Sequence, residues 1–138
     1  MFRPVTNQIE LRPGDKVFVK GDFGVRHYGV YVGCDWQGKE MVVQNLKGRS
    51  VEETSLGAFS AGRPIFIEQR ARNWLHAEEI VQRARSLIGT NYDLFSFNCE
   101  QAANYAVNGR PFSLQLQEAV GLLLLVGVVL FAFGSGRR

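Results

Sequence analysis

The chain is poor in the residues that staple small proteins. Its 138 residues hold two cysteines, Cys34 and Cys99, and two histidines, His27 and His76. Two cysteines do not make a disulfide framework at this length. No CxxC pair occurs, nor any Cys/His cluster with zinc spacing, so neither a structural metal nor a cofactor is expected. No basic, apolar, small-residue signal peptide opens the sequence, and a reducing, cytosol-facing location is the working expectation. Charge is not blocked either. Sixteen Lys and Arg against thirteen Asp and Glu give +3, interspersed along the chain, so nucleic acid is not an expected partner. Arg63, Arg70, Arg72, Arg83, Arg85 and Arg110 make the second half the more basic one, which suits either a solvated face or an anionic membrane surface.

What is present organises itself into two kinds of sequence. LRPGDKVFVKG (11–21) reads as a Pro-Gly-Asp turn followed by a strand, and HYGVYVGCDWQGKEMVVQNLKG (27–48) reads as a hairpin of β-branched and aromatic runs around a Gly-containing turn. SVEETS and RPIFIEQR (63–70) supply one weaker and one stronger strand, so the first half is expected to be an antiparallel meander. After Asn73 the period changes. Trp74, Ala77, Ile80, Val81, Ala84, Leu87 and Ile88 recur at three and four residues, which predicts an amphipathic helix ending at Gly89. A turn, TNYD, leads to FNCEQAANYAVNG, a second helix with Asn98 as its cap, Cys99 in its first turn and Asn108-Gly109 at its end.

The last segment differs from both. From Ala119 to Phe133 there are fifteen residues without a charged or strongly polar side chain. A spanning helix wants about 20 apolar residues, with about 17 as a lower limit, so this is a short span. A buried core helix is the alternative; the terminal position, the missing polar face and the closing Arg137-Arg138 favour membrane contact. The expected division is a folded domain over 1–112 and a hydrophobic C-terminal helix over 113–138.

Cys99 is open to three readings from its surroundings: packed core residue, half of a disulfide, or nucleophile. A thiol attacks as its thiolate, and the first turn of a helix favours that charge through its unpaired N-H groups and dipole. A nucleophile also needs a base. His27 opens an apolar strand after the turn GDFGVR, where a ring can project towards a packed helix, whereas His76 sits beside Glu78 and Glu79 and is expected to be a solvent-exposed structural residue. Cys34, in the hairpin turn GCDWQG, has neither base nor helix start and reads as a bystander.

LRPGDKVFVK, HYGVYVG, VVQNL, the helix ending in SLIG and FNCEQAANYAVNGR, in that order over about residues 11–110, resemble the lecithin:retinol acyltransferase-like family, which includes the small phospholipase A/acyltransferase proteins. The family's H-W/Y-x-x-Y-V-G strand is matched by His27, Tyr28, Tyr31, Val32 and Gly33, and its N-C-E motif by Asn98, Cys99 and Glu100. The resemblance implies an α+β, permuted papain-like fold in which an antiparallel sheet packs against helices and a hydrophobic C-terminal helix anchors the chain to a membrane. It implies Cys99 as nucleophile and His27 as general base and acid, taking an acyl group from a phospholipid or other acyl ester and passing the thioester to water, an amine or an alcohol. Where relatives commonly carry a second histidine, this chain has Gln44, whose carbonyl offers a neutral partner for the ring N-H or which stands as an exposed strand residue. Gln101 replaces the usual histidine after N-C-E.

The backbone N-H of Cys99 is the natural first donor to a developing oxyanion; a second donor is not readable. Asn98 reads equally as a cap or a donor, and Glu100 as a favourable first-turn charge or a functional group. Two other functions remain open: a cysteine peptidase or amidase, and a membrane-bound interaction domain that keeps the fold without the activity. The expected location is a membrane, with the folded domain on its cytoplasmic side.

Overall fold

The computed structural model describes Phe2, Pro4 and residues 10–91, 98–110 and 114–134. Nine elements of four residues or more follow one another: β1 (Lys16–Lys20), β2 (Arg26–Cys34), β3 (Glu40–Asn45), β4 (Val51–Ser55), α1 (Leu56–Ser60), β5 (Phe66–Gln69), α2 (Trp74–Ser86), α3 (Cys99–Asn108) and α4 (Leu114–Gly134). The fold is α+β, with one five-stranded antiparallel sheet, helices packed on it and an apolar C-terminal helix.

Turn chemistry sets the strand ends. Gly14, at φ 92°, makes the bend before β1. Asp35 closes the β2–β3 hairpin by accepting from the backbone N-H groups of Gln37 and Lys39, both at 2.9 Å. The sheet order is β4-β3-β2-β1-β5, so the first four strands form the expected meander while β5 pairs with β1 at the far edge. The reason lies in α1, whose Leu56 and Phe59 are buried against one face of the sheet. The chain crosses that face before it lays down β5.

Both faces of the sheet are therefore covered. On one, Phe18, Tyr28, Val30, Val32 and Val43 pack with Ile80 and Ala84 of α2 and Ala103, Ala106 and Val107 of α3. On the other, Val17, Val19, Tyr31 and Val42 pack with Leu11, Leu56 and Phe59. Val17, Phe18 and Val19 are consequently all buried, although strand alternation alone expects one wet face.

The helices start and stop where the sequence places them. Asn73 caps α2 by accepting from His76 N-H, and Asn98 caps α3 in a reciprocal box with Gln101. Gly109 ends α3 in the left-handed conformation at φ 71°. His76 corrects an expectation: its ring is buried, not exposed. Nδ1 accepts from Arg72 N-H at 3.0 Å, which leaves Nε2 to donate to Val107 O at 3.2 Å. The ring clasps the start of α2 to the end of α3, which covers it while the adjacent Glu78 and Glu79 stay exposed. Phe97, Tyr92 and Asp93 of the TNYD turn and the terminal arginines lie outside the described residues.

Candidate active site

Strand β2 has an open edge where the candidate residues collect. Its register with β3 runs from Cys34↔Glu40 to Gly29↔Gln44 and stops there. Among the described residues, the backbone groups of Tyr28 and Arg26 on that side have no strand partner. Two side chains from later in the chain occupy the gap. Cys99, in the first turn of α3, lies with Sγ 3.9 Å from Arg26 O, and the Tyr28 N-H is directed at the same sulfur. Gln115, in the first turn of α4, accepts from Arg26 N-H at 2.9 Å and donates to Arg26 O at 3.2 Å, as a neighbouring strand's peptide would. Residue 27 lies between the two backbone groups that touch the thiol.

His27 is held from two directions. Nε2 lies 2.8 Å from Gln44 Oε1, and the ring packs on Phe59 with centroids 5.3 Å apart. The side-chain nitrogen of Gln44 donates to Glu52 Oε1 at 2.9 Å, across the Gln44↔Glu52 pair of β3 and β4. A carboxylate only accepts, so it fixes the amide with its nitrogen towards Glu52 and its oxygen towards the ring. The ring must then carry its proton on Nε2, which leaves Nδ1 as the basic atom. Gly29 makes the arrangement possible. A Cβ there would lie 2.5 Å from Val42 Cγ1 and 2.9 Å from Phe59, the residue that supports the ring.

Burial governs the charge state. It pushes the Cys99 thiol above its ordinary value, and the Glu100 carboxylate adds to that, while the N-H groups of Tyr28, Glu100 and Cys99 pull the other way. The helix-start effect expected from sequence is present and is outweighed. Burial also lowers His27, assisted by the Arg63 guanidinium and opposed by the bond to Gln44. Both shifts favour the uncharged forms, a thiol and a neutral imidazole.

Glu100 has a role that the sequence left open. It is buried at 2% exposure. Its two carboxylate oxygens accept from the backbone N-H groups of Leu114 at 3.1 Å and Gln115 at 3.2 Å, satisfying the start of α4. Gln115 thereby bonds both to the residue before His27 and, at 3.4 Å, to the residue after Cys99. Neither Glu52 nor Gln115 carries a signal of its own in the sequence, because each acts through a partner on another element. Only the strand register shows the first.

Cys34 ends β2 at its other end, exposed and free. Among the described residues no group of three His, Cys, Asp or Glu could hold a metal ion. A cleft of about 840 Å³ lies between the turn before β1 and α2, where Arg12, Arg70, Arg72 and Trp74 line it; Cys99 and His27 do not. The space beside the thiol is closed, with room for about 10 Å³ among Tyr28, Val43, Gln44 and Ala103.

Comparison with known proteins places these residues in a family. The lecithin retinol acyltransferase family model matches residues 9–112. The chain is also 29% identical, over 147 aligned residues, to phospholipase A and acyltransferase 3 of Mus musculus, an alignment covering 91% of this chain and 88% of that protein.

Proposed function

From the premise that the chain belongs to the lecithin retinol acyltransferase family, we propose that it is a membrane-bound acyltransferase or phospholipase A that works on lipid esters through a thioester at Cys99. The observation that carries the reading is the seating of Cys99 Sγ between Arg26 O and Tyr28 N-H, on either side of His27. The relative named for phospholipase and acyltransferase activities supports the substrate class. On this reading residues 1–112 form the catalytic domain, of permuted papain-like kind, and 113–138 the anchor.

Proton transfer begins the chemistry. His27 Nδ1 takes the Sγ proton and the thiolate attacks the ester carbonyl carbon, giving a tetrahedral oxyanion. Catalytic hydrogen bonds often tighten only in the substrate complex, which suits a pair held towards its uncharged forms. The N-H groups of Cys99 and Tyr28, both already directed at the sulfur, are the donors for that oxyanion. Collapse expels the alkoxide, protonated by His27, and leaves the acyl group on Sγ. His27 then deprotonates water, an amine or an alcohol, which takes the acyl group and restores the thiol. Gln44, held by Glu52, keeps the ring in the required tautomer.

A peptidase or amidase would use the same pair. Helix α4 favours the lipid: over Leu114–Ala132 it is long and apolar enough to cross a bilayer, and none of that stretch is buried. The two free cysteines agree with a catalytic domain facing the cytoplasm. The test is the intact mass of the full chain after exposure to phospholipid vesicles. An acyl increment is expected, absent from Cys99→Ala and strongly reduced in His27→Ala. Lipid cleavage that persists unchanged in Cys99→Ala would sink the proposal.

A further inference from the structure

The turn between β1 and β2 is built in a way that its own packing does not explain. Phe23 at its tip is fully exposed, at 105%, and Val25 is 60% exposed. Isolated exposed apolar residues are ordinary. Here the backbone is also strained to hold one: Phe23 sits in the left-handed region at φ 59°, ψ 21°, a conformation that L-residues with large side chains avoid. The turn is closed by Gly21 N-H to Val25 O at 2.7 Å and Val25 N-H to Asp22 O at 3.2 Å, so the tip is fixed in place.

Its surroundings name the occupant. Arg26, the next residue after Val25, is bonded to Gln115 of α4 through both its backbone N-H and its carbonyl. From Gln115 to Ala119, where the uninterrupted apolar run begins, the helix rises about 6 Å. The Arg26 peptide therefore sits at headgroup depth when α4 lies in a bilayer, and Phe23, three residues away, is within about 10 Å of it along the chain. Exposed Lys20 and Arg63 flank the turn, whose one acid is Asp22, while the Arg26 guanidinium turns away to Glu68 and the Phe18 ring; Arg63 lies close enough to Gly21 that a Cβ there would be 3.5 Å from its guanidinium. Apolar residues at a tip with a basic collar fit an anionic lipid interface.

We propose that the β1–β2 turn is a second membrane contact, a wedge in which Phe23 and Val25 enter the lipid surface beside α4 and set the depth of the Cys99 rim against the ester groups. This rests on the reading of α4 as a membrane anchor. The two contacts act together because Gln115 ties them into one unit. Trp36, in the β2–β3 hairpin, supplies an internal water control: it is 90% exposed and stands beyond the opposite end of β2, about 25 Å from Arg26 at the usual strand rise.

The experiment uses the full chain reconstituted in vesicles containing anionic phospholipid, with Trp36 and Trp74 replaced by Phe and one tryptophan returned at a time. Phe23→Trp and, as a second variant should the first misfold, Val25→Trp are expected to shift their emission to the blue and to lose intensity to lipids brominated on their acyl chains. The returned Trp36 is expected to lose intensity to aqueous iodide instead. Leu123→Trp reports α4 separately. Quenching by brominated lipid at position 123 with iodide quenching at 23 and 25 overturns the wedge and leaves the anchor standing. Iodide quenching at 23, 25 and 123 alike overturns both.

Discussion

Gln44 presents its side-chain oxygen to His27, 2.8 Å from Nε2, because Glu52 holds its nitrogen at 2.9 Å on the other side. A neutral amide thus orients the ring in place of a charged group, and a carboxylate one residue farther out orients the amide. The arrangement avoids placing a full charge directly against a half-buried imidazole. It also leaves the imidazole without the stabilisation a charged neighbour gives its protonated form.

Removing the amide should cost activity and move the pH profile in a defined direction. Loss of one hydrogen bond of about 1 to 1.5 kcal/mol corresponds to about a tenfold fall in kcat/KM for Gln44→Ala. Burial holds His27 below its ordinary 6.5, and the bond to Gln44 opposes that shift. As base, His27 is active when neutral, so activity rises with pH along a limb that lies below 6.5. In Gln44→Ala that limb moves to still lower pH. A profile of kcat/KM against pH that shifts upward instead would contradict this assignment of the ring's partner.

The outer carboxylate should matter through direction, not charge. In Glu52→Ala the Gln44 amide is free to turn its nitrogen towards Nε2, where two donors would meet. Glu52→Gln keeps a side-chain oxygen able to accept from Gln44. We expect a loss of several-fold in kcat/KM for Glu52→Ala, as for one weakened hydrogen bond, and most of the activity kept in Glu52→Gln. Equal losses in steady-state measurements of the two variants would show that the negative charge itself is needed.

Gly29 gives a prediction about packing. Its missing side chain leaves room for Val42 and for Phe59, which supports the His27 ring. Gly29→Ala forces contacts of 2.5 Å and 2.9 Å on groups held in the core, and overpacking of this kind costs roughly 1 to 3 kcal/mol. The melting temperature should fall. Adding Val42→Ala should return part of it, since that removes the nearer clash; a double variant no more stable than Gly29→Ala would place the strain elsewhere.

Much of this is legible in the sequence. The order of the strand carrying His27 and the helix carrying Cys99, the cap at Asn98 and the end of α3 at Gly109 follow from local chemistry, which a linear sequence records. Gln44 could be singled out because a family pattern marks its position. Glu52 could not, because alternation in VEETS tells which face a residue is on but not which residue lies across from it. The placement of β5 beside β1 and the burial of His76 are likewise tertiary facts. The first depends on where α1 crosses the sheet, and the second on α3 supplying Val107 O to the ring. The pull of burial on Cys99, stronger than its helix start, needs the packing of α3 on β2 to be known.

The last prediction concerns Gln115, where an amide is the one side chain that matches what it meets. It must accept from Arg26 N-H and donate to Arg26 O and Glu100, so it uses both ends of the group. Gln115→Ala removes these bonds and leaves Arg26 N-H without its acceptor, a loss of about 1 to 3 kcal/mol. Gln115→Glu should be worse, although it is nearly the same shape. A carboxylate has no proton for Arg26 O and stands against the buried Glu100 carboxylate, 3.4 Å from the present amide nitrogen. The added negative charge also lies beside a thiol whose ionisation Glu100 already opposes. Alkylation of Cys99 at neutral pH should therefore slow in Gln115→Glu by more than in Gln115→Ala, with the rate-against-pH curve displaced towards alkali. If the two variants label Cys99 at the same rate, the first turn of α4 does not act on the thiol, and its bonds to Arg26 and Glu100 serve only to fix the helix in place.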